Sequence, residues 1–239
     1  MNALDDSTQT PFVEPGSITS GFANVEFAEN PEPRCPCLLL LDTSASMNGA
    51  PIMELNLGLQ AFKDELASDS LAAKRVEVAV LTFGGNAPQL AADFTDAGNF
   101  QPPHLAASGV TPMGAAIRDG LARLNVRKES YRTNGVAYYR PWVFLITDGE
   151  PTDEYHSAAK AVREGEARGS FSFYAVAVQG ANVGKLAEVA PPQRPPVMPD
   201  GLRFRDLFQW LSKSMRTVSQ SRMGTTVQLE TPGWTTAIT

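Results

Sequence analysis

The chain has 239 residues, 43% of them hydrophobic and 19% charged, with a net charge of −6. That is ordinary for a folded globular protein of one large or two small domains. The absence of clustered Lys and Arg excludes a nucleic-acid footprint, and no run of about 20 apolar residues exists to cross a membrane.

Residues 1–36 read as an N-terminal extension. The first 21 are rich in Ser, Thr, Pro and Asp without periodicity. Phe22, Val25 and Phe27 suit a short edge strand, and the three prolines between Asn30 and Pro36 suit a linker. Asn2, Asp5 and Asp6 replace the basic-then-apolar pattern of a secretory leader, so a cytoplasmic location is expected. Cys35 and Cys37 have no partners at zinc-site spacing, since His104 and His156 lie far off in sequence. They are expected to be reduced thiols leading into a strand, with a redox role as the alternative.

Cys37–Asp42 is an unbroken apolar run ending in a carboxylate, the pattern of a strand buried on both faces. After Pro51, the residues Ile52, Leu55, Leu59, Phe62 and Leu66 fall on one helical face. Arg75–Phe83 is a second β-type run, and Gln89–Phe94 suits a short antiparallel neighbour. Thr111-Pro112 opens a helix with Ile117, Leu121 and Leu124 on its apolar stripe; Thr111 suits its N-cap and Pro112 its first position. Trp142–Asp148 repeats the pattern of an apolar strand ending in Asp. A helix over Glu154–Arg168, a strand over Phe171–Val178, a proline-rich connection over Pro191–Pro199 and an amphipathic helix from Phe204 to Val218 follow. The tail, 221–239, has one candidate strand, Thr225–Leu229.

Alternation of strands and helices predicts an α/β fold: an open, mostly parallel, doubly wound (Rossmann-like) sheet with helices on both faces, spanning 37–220. Ligands of such sheets sit beyond the carboxyl ends of the strands, where Asp42 and Asp148 are predicted.

Three segments there carry oxygen donors, which hard cations prefer. Asp42-Thr43-Ser44-Ala45-Ser46 places a carboxylate and two hydroxyls on one turn. Thr111 lies in Gly109-Val110-Thr111-Pro112, and Asp148 in Ile146-Thr147-Asp148-Gly149. Taken singly, each also reads as a capping turn, an N-cap or a plain turn. Together, in this order, they resemble the metal-ion-dependent adhesion site of the von Willebrand factor A family over about Cys37–Gln220. The resemblance implies that Ser44 and Ser46 ligate a divalent ion, that Thr111 joins directly or through water, and that Asp42 and Asp148 act mostly through waters. Mg²⁺ is the expected ion, with Mn²⁺ or Ca²⁺ as alternatives, and its open position takes an acidic side chain of a partner protein. Without the ion, Asp42 and Asp148 should repel and their pKa values rise. Glu150 is expected in solvent and Asp153 at a helix start, where an acid favours the dipole.

Leu40–Met47, Gly49–Ile52, Asn56–Gln60 and the late helix resemble the tellurium-resistance-associated (TerY-like) bacterial branch. That implies a scaffold working with a Ser/Thr kinase and a metal-dependent phosphatase. An adaptor for a MoxR- or chelatase-type AAA+ ATPase is the alternative. The extension through Pro36 and the lack of a Cys-rich C-terminal module depart from that branch. An enzyme is not expected: Ser44 stands where a haloacid-dehalogenase-type phosphatase needs a second Asp, and no G-x-S-x-G, G-x-G-x-x-G or G-x-x-x-x-G-K-[ST] run is placed to serve.

Overall fold

In the computed structural model, residues 27–148, 150–178, 180–199, 204–222, 227 and 235–237 are described, the last three as backbone. The chain divides into a short unit, 1–31, and a main unit, 32–239. Of the short unit, 27–29 are helical; Phe22 and Val25 of the expected edge strand lie outside the described residues.

The main unit is a seven-stranded sheet in the order β3-β2-β1-β4-β5-β6-β7. β1 (Cys35–Asp42), β2 (Val76–Phe83), β4 (Trp142–Thr147), β5 (Ser172–Ala177) and β6 (Val197–Pro199) run parallel. β3 (Gln89–Asp96) and β7 (Thr235–Ala237) close the two edges antiparallel. The helices are α1 (Ala50–Ala67), the single turn α2 (Ala72–Arg75), α3 (Met113–Thr133), α4 (His156–Ala167), α5 (Val183–Val189) and α6 (Phe204–Gln220). The predicted doubly wound α/β sheet with helices on both faces is therefore the observed architecture.

Every residue of β1 is buried, and its side chains alternate between two cores. Leu39 and Leu41 join Leu55, Leu59 and Phe62 of α1 and Leu207, Phe208 and Leu211 of α6. Leu38 and Leu40 join Ile117, Leu121 and Leu124 of α3 and Ala158, Ala159 and Val162 of α4. This double coverage explains the lack of hydrophobic alternation in the sequence.

Several elements differ from expectation, and neither α2 nor β7 was anticipated. β1 begins at Cys35, ahead of the expected start, and includes Pro36. The proline fits because ladder pairing with β4 begins only at Cys37, so its missing N–H costs nothing on that side. The proline-rich connection contains β6, which pairs with β5 at Val176 and Val197. α5 was not anticipated, being only seven residues long. Of the expected strand Thr225–Leu229, only Val227 is described, and it is not in a strand.

β1 leads through α1 to β2 on one side, while β4 leads through α4 to β5 on the other. The strand order thus reverses between β1 and β4, and the carboxyl ends of those two strands carry Asp42 and Asp148.

Candidate cation site

Asp42 ends β1 with no exposed surface. Its Oδ1 accepts the Ser44 N–H at 2.8 Å and its Oδ2 accepts the Thr147 hydroxyl at 2.5 Å. The first bond tightens the turn after β1; the second crosses to β4. The chain then makes one 3-10 turn, Ala45–Met47, which lifts Ser46 to the surface while Ser44 stays buried. Their hydroxyl oxygens lie 3.0 Å apart, and Ser46 donates to Asp148 Oδ1 at 2.9 Å. Four of the five predicted residues thus form one hydrogen-bonded chain from Asp42 through Ser44 and Ser46 to Asp148.

Thr111 reaches the same end of the sheet through its loop. Ser108 N–H donates to the Thr43 carbonyl at 2.7 Å and Ala45 N–H to the Gly109 carbonyl at 3.0 Å, pinning 108–111 along the first turn. Asn56 of α1 holds the same loop farther back, accepting Leu105 N–H at 2.8 Å and donating to Leu105 O at 3.0 Å. Thr111 is 5% exposed, and its hydroxyl does not cap α3: Pro112 is the cap residue and no side-chain cap bond is made from it. The expectation that Thr111 caps this helix is corrected.

Burial raises the Asp42 carboxyl above the usual carboxylate range, partly offset by its hydrogen bonds from Ser44 and Thr147; the nearby Asp148 charge adds a smaller upward push. Burial also raises Asp148, with the Ser46 hydroxyl opposing. The predicted rise is present in direction, but desolvation rather than mutual repulsion leads it. Glu150 is exposed as expected, yet it accepts from Asn182 at 2.6 Å and lies 3.6 Å from Lys185 Nζ. Asp153 does serve a helix start, that of α3 rather than the helix following it.

Two contributors escaped the sequence reading. Thr147 stands beside Asp148 in the quoted motif, but its partner Asp42 lies 105 positions away on another strand, beyond the reach of local spacing. Gly84 allows the β2–β3 turn to lie against the first site turn: a β-carbon there would come within 2.2 Å of the Thr43 carbonyl oxygen.

The von Willebrand factor type A domain model matches residues 38–198, which takes in Asp42, both serines, Thr111 and Asp148. The chain belongs to the von Willebrand factor type A domain family. As such a domain it is a binding module rather than an enzyme. Comparison with curated protein sequences finds no match. Among solved structures, this A domain is similar to the pilus adhesin SpaC of Lactobacillus rhamnosus GG in an open conformation. The TM-score is 0.61 at 14% identity, over 78% of this chain and 30% of the adhesin. It is similar to proximal thread matrix protein 1 of the mussel byssus (TM-score 0.51, 19% identity, 79% of this chain and 46% of that one). It is also similar to manganese-loaded TRAP protein of Plasmodium vivax (TM-score 0.52, 21% identity, 73% of this chain and 71% of that one). At these identities the likeness is one of fold, and the chain spans less than half the length of the first two.

These likenesses overturn the expectation of a cytoplasmic protein. The same A-domain fold serves in a pilus adhesin and a thread matrix protein.

Proposed function

We propose that Asp42, Ser44, Ser46, Thr111 and Asp148 hold one divalent cation, and that the A domain uses it to bind an acidic side chain of a protein partner. The observation that carries this reading is the hydrogen-bonded chain Asp42–Ser44–Ser46–Asp148 at the strand-order reversal.

The donor set fits a hard cation. It offers two carboxylates and three hydroxyls, all oxygen, and no sulfur or imidazole. Among the described residues no three His, Cys, Asp or Glu side chains gather as a metal group, so the hydroxyls are essential to this assignment. Asp42 is buried with a raised pKa, the condition a nearby positive charge relieves. Mg²⁺ is the ion we assign. When bound, it would supply a residual positive charge that neutral hydroxyl ligands leave largely uncompensated, ready for a carboxylate. Ser46, the exposed member of the chain, marks the side from which a partner approaches.

The test is calorimetric titration of metal-stripped protein with Mg²⁺ and with Mn²⁺, beside Ser46→Ala and Asp148→Asn, both at non-buried positions. One-site binding, weakened at least tenfold in each variant, is the expected result. Equal affinity in wild type and both variants would sink the assignment. Repeating the titration with a Glu-containing peptide and with its Gln counterpart then tests the partner chemistry: only the former should bind, and only with the ion present.

A further inference from the structure

A threonine immediately before a proline that opens a helix ordinarily spends its hydroxyl on the helix's unpaired N–H groups. In α3 that duty is discharged from elsewhere. The Asp153 carboxylate accepts Gly114 N–H through Oδ1 at 2.9 Å and Ala115 N–H through Oδ2 at 2.7 Å. Two neighbouring groups reinforce the contact. Thr152 N–H donates to the Thr111 carbonyl at 2.9 Å, and Arg118 of α3 donates to the Glu154 carbonyl at 2.9 Å. The approach is close enough that a β-carbon on Gly114 would fall 2.1 Å from the Glu154 carbonyl oxygen.

From this we infer that Asp153 is a positioning residue: by capping α3 from the loop that follows Asp148, it leaves the Thr111 hydroxyl free for the cation site. The inference rests on the cation reading above and assigns a role to a residue outside the five donors. Two loops of the site are fastened to each other by it, since 150–155 carries Asp153 and α3 begins two residues after Thr111. Among the described residues none is hydrogen-bonded to the Thr111 hydroxyl. Removing Asp153 returns the Gly114 and Ala115 N–H groups to the unpaired state, and the Thr111 hydroxyl, next to the helix start in sequence, would then be drawn toward them.

The test is a double-mutant cycle read by Mn²⁺ affinity, using wild type, Asp153→Ala, Thr111→Ala and the double variant. Asp153→Asn serves as the conservative change, and thermal unfolding confirms that each variant folds. Loss of a residue that orients a ligand costs roughly 10–100-fold in metal affinity. Asp153→Ala is expected to cost at least tenfold in the wild-type background and less than about twofold beside Thr111→Ala, because its effect passes through that hydroxyl. Asp153→Asn, which keeps one acceptor, should fall between. A second reading is taken without metal: the Thr111 methyl resonance and the exchange rates of the Gly114 and Ala115 amides. All three should move in Asp153→Ala.

Equal losses from Asp153→Ala in both backgrounds, or metal-free resonances that do not move, would overturn the positioning role while leaving the cation site standing. A wild type that binds no cation would overturn the cation site, and the role built on it, even if the Thr111 resonance moves.

Discussion

Thr147 donates its hydroxyl hydrogen to Asp42 across the junction of β4 and β1, joining the two central strands at the point where the strand order reverses. Both partners are fully buried. Thr147→Val keeps the β-branched shape and leaves one buried Asp42 oxygen without its donor, at a cost of about 1–3 kcal/mol. Thr147→Ser should recover most of that loss. Urea unfolding of the three proteins checks this; a Val variant as stable as wild type would show that the bond contributes nothing.

At the opposite end of the sheet, Glu77 of β2 is buried among cations. Arg34 Nε lies 2.7 Å from its Oε1, Arg127 engages both oxygens at 2.8 Å, and Tyr131 donates to Oε2. Removing one partner of a buried ion pair costs about 3–5 kcal/mol because the others are left uncompensated. Glu77→Gln is expected to lower stability by that amount in denaturant titration, with cation affinity changed less than twofold in the folded protein. The site and this cluster occupy different strand ends, so a large loss of affinity would contradict their independence.

Gly84→Ala should damage the site without touching a donor. Its β-carbon would drive into the Thr43 backbone oxygen at 2.2 Å, and backbone on both sides has little room to yield. Overpacking of this kind costs about 1–3 kcal/mol. Because Thr43 precedes Ser44, Mg²⁺ affinity should fall along with the melting temperature. A melting shift with unchanged affinity would place the strain in the β2–β3 turn alone.

The free thiols Cys35 and Cys37 are fully buried. Burial, aided by the Glu77 charge, pushes Cys35 up to about 12, and burial with the neighbouring Cys35 raises Cys37 as well. Below pH 9 both folded and unfolded chains keep their thiols protonated. Between about 9 and 12 the unfolded chain ionises Cys35 and the folded one does not, so the unfolded state binds fewer protons and stability falls as pH rises through that window. Melting temperatures measured from pH 8 to 10.5 should decline, less steeply in Cys35→Ala. Native protein at pH 8 should react with a thiol reagent only as fast as it unfolds; rapid labelling of either cysteine would contradict the buried geometry.

The parallel sheet was legible because its two central strands are apolar runs with an Asp at the end of β1 and directly after β4. The stripe Ile52-Leu55-Leu59-Phe62-Leu66 likewise announced α1, and all five residues are buried. β6 was hidden by its length, three residues inside a proline-rich stretch, where no periodicity can register. The same limit applied at the site. The spacing of Asp42, Ser44 and Ser46 is local and readable, whereas the bond from Asp153 to Gly114 spans 39 positions and depends on how two loops meet. Thr111 shows the hazard of local reasoning. Its position before Pro112 suits a cap, and only the tertiary contact shows that another residue already fills that role.

β1 has a further consequence. Leu38, Leu39, Leu40 and Leu41 are identical, so a slip of one position between β1 and its neighbours would still leave leucine at three of these four positions, and hydrophobicity alone resists it weakly. The alignment is held instead by the polar residues at the two tips: Arg34 locks onto Glu77 at one end, and Asp42 onto Thr147 at the other. These pairs act as detents on an otherwise featureless rail. A substitution at either tip would therefore loosen the frame in which the whole central strand is read, and with it the division of side chains between the two helical layers.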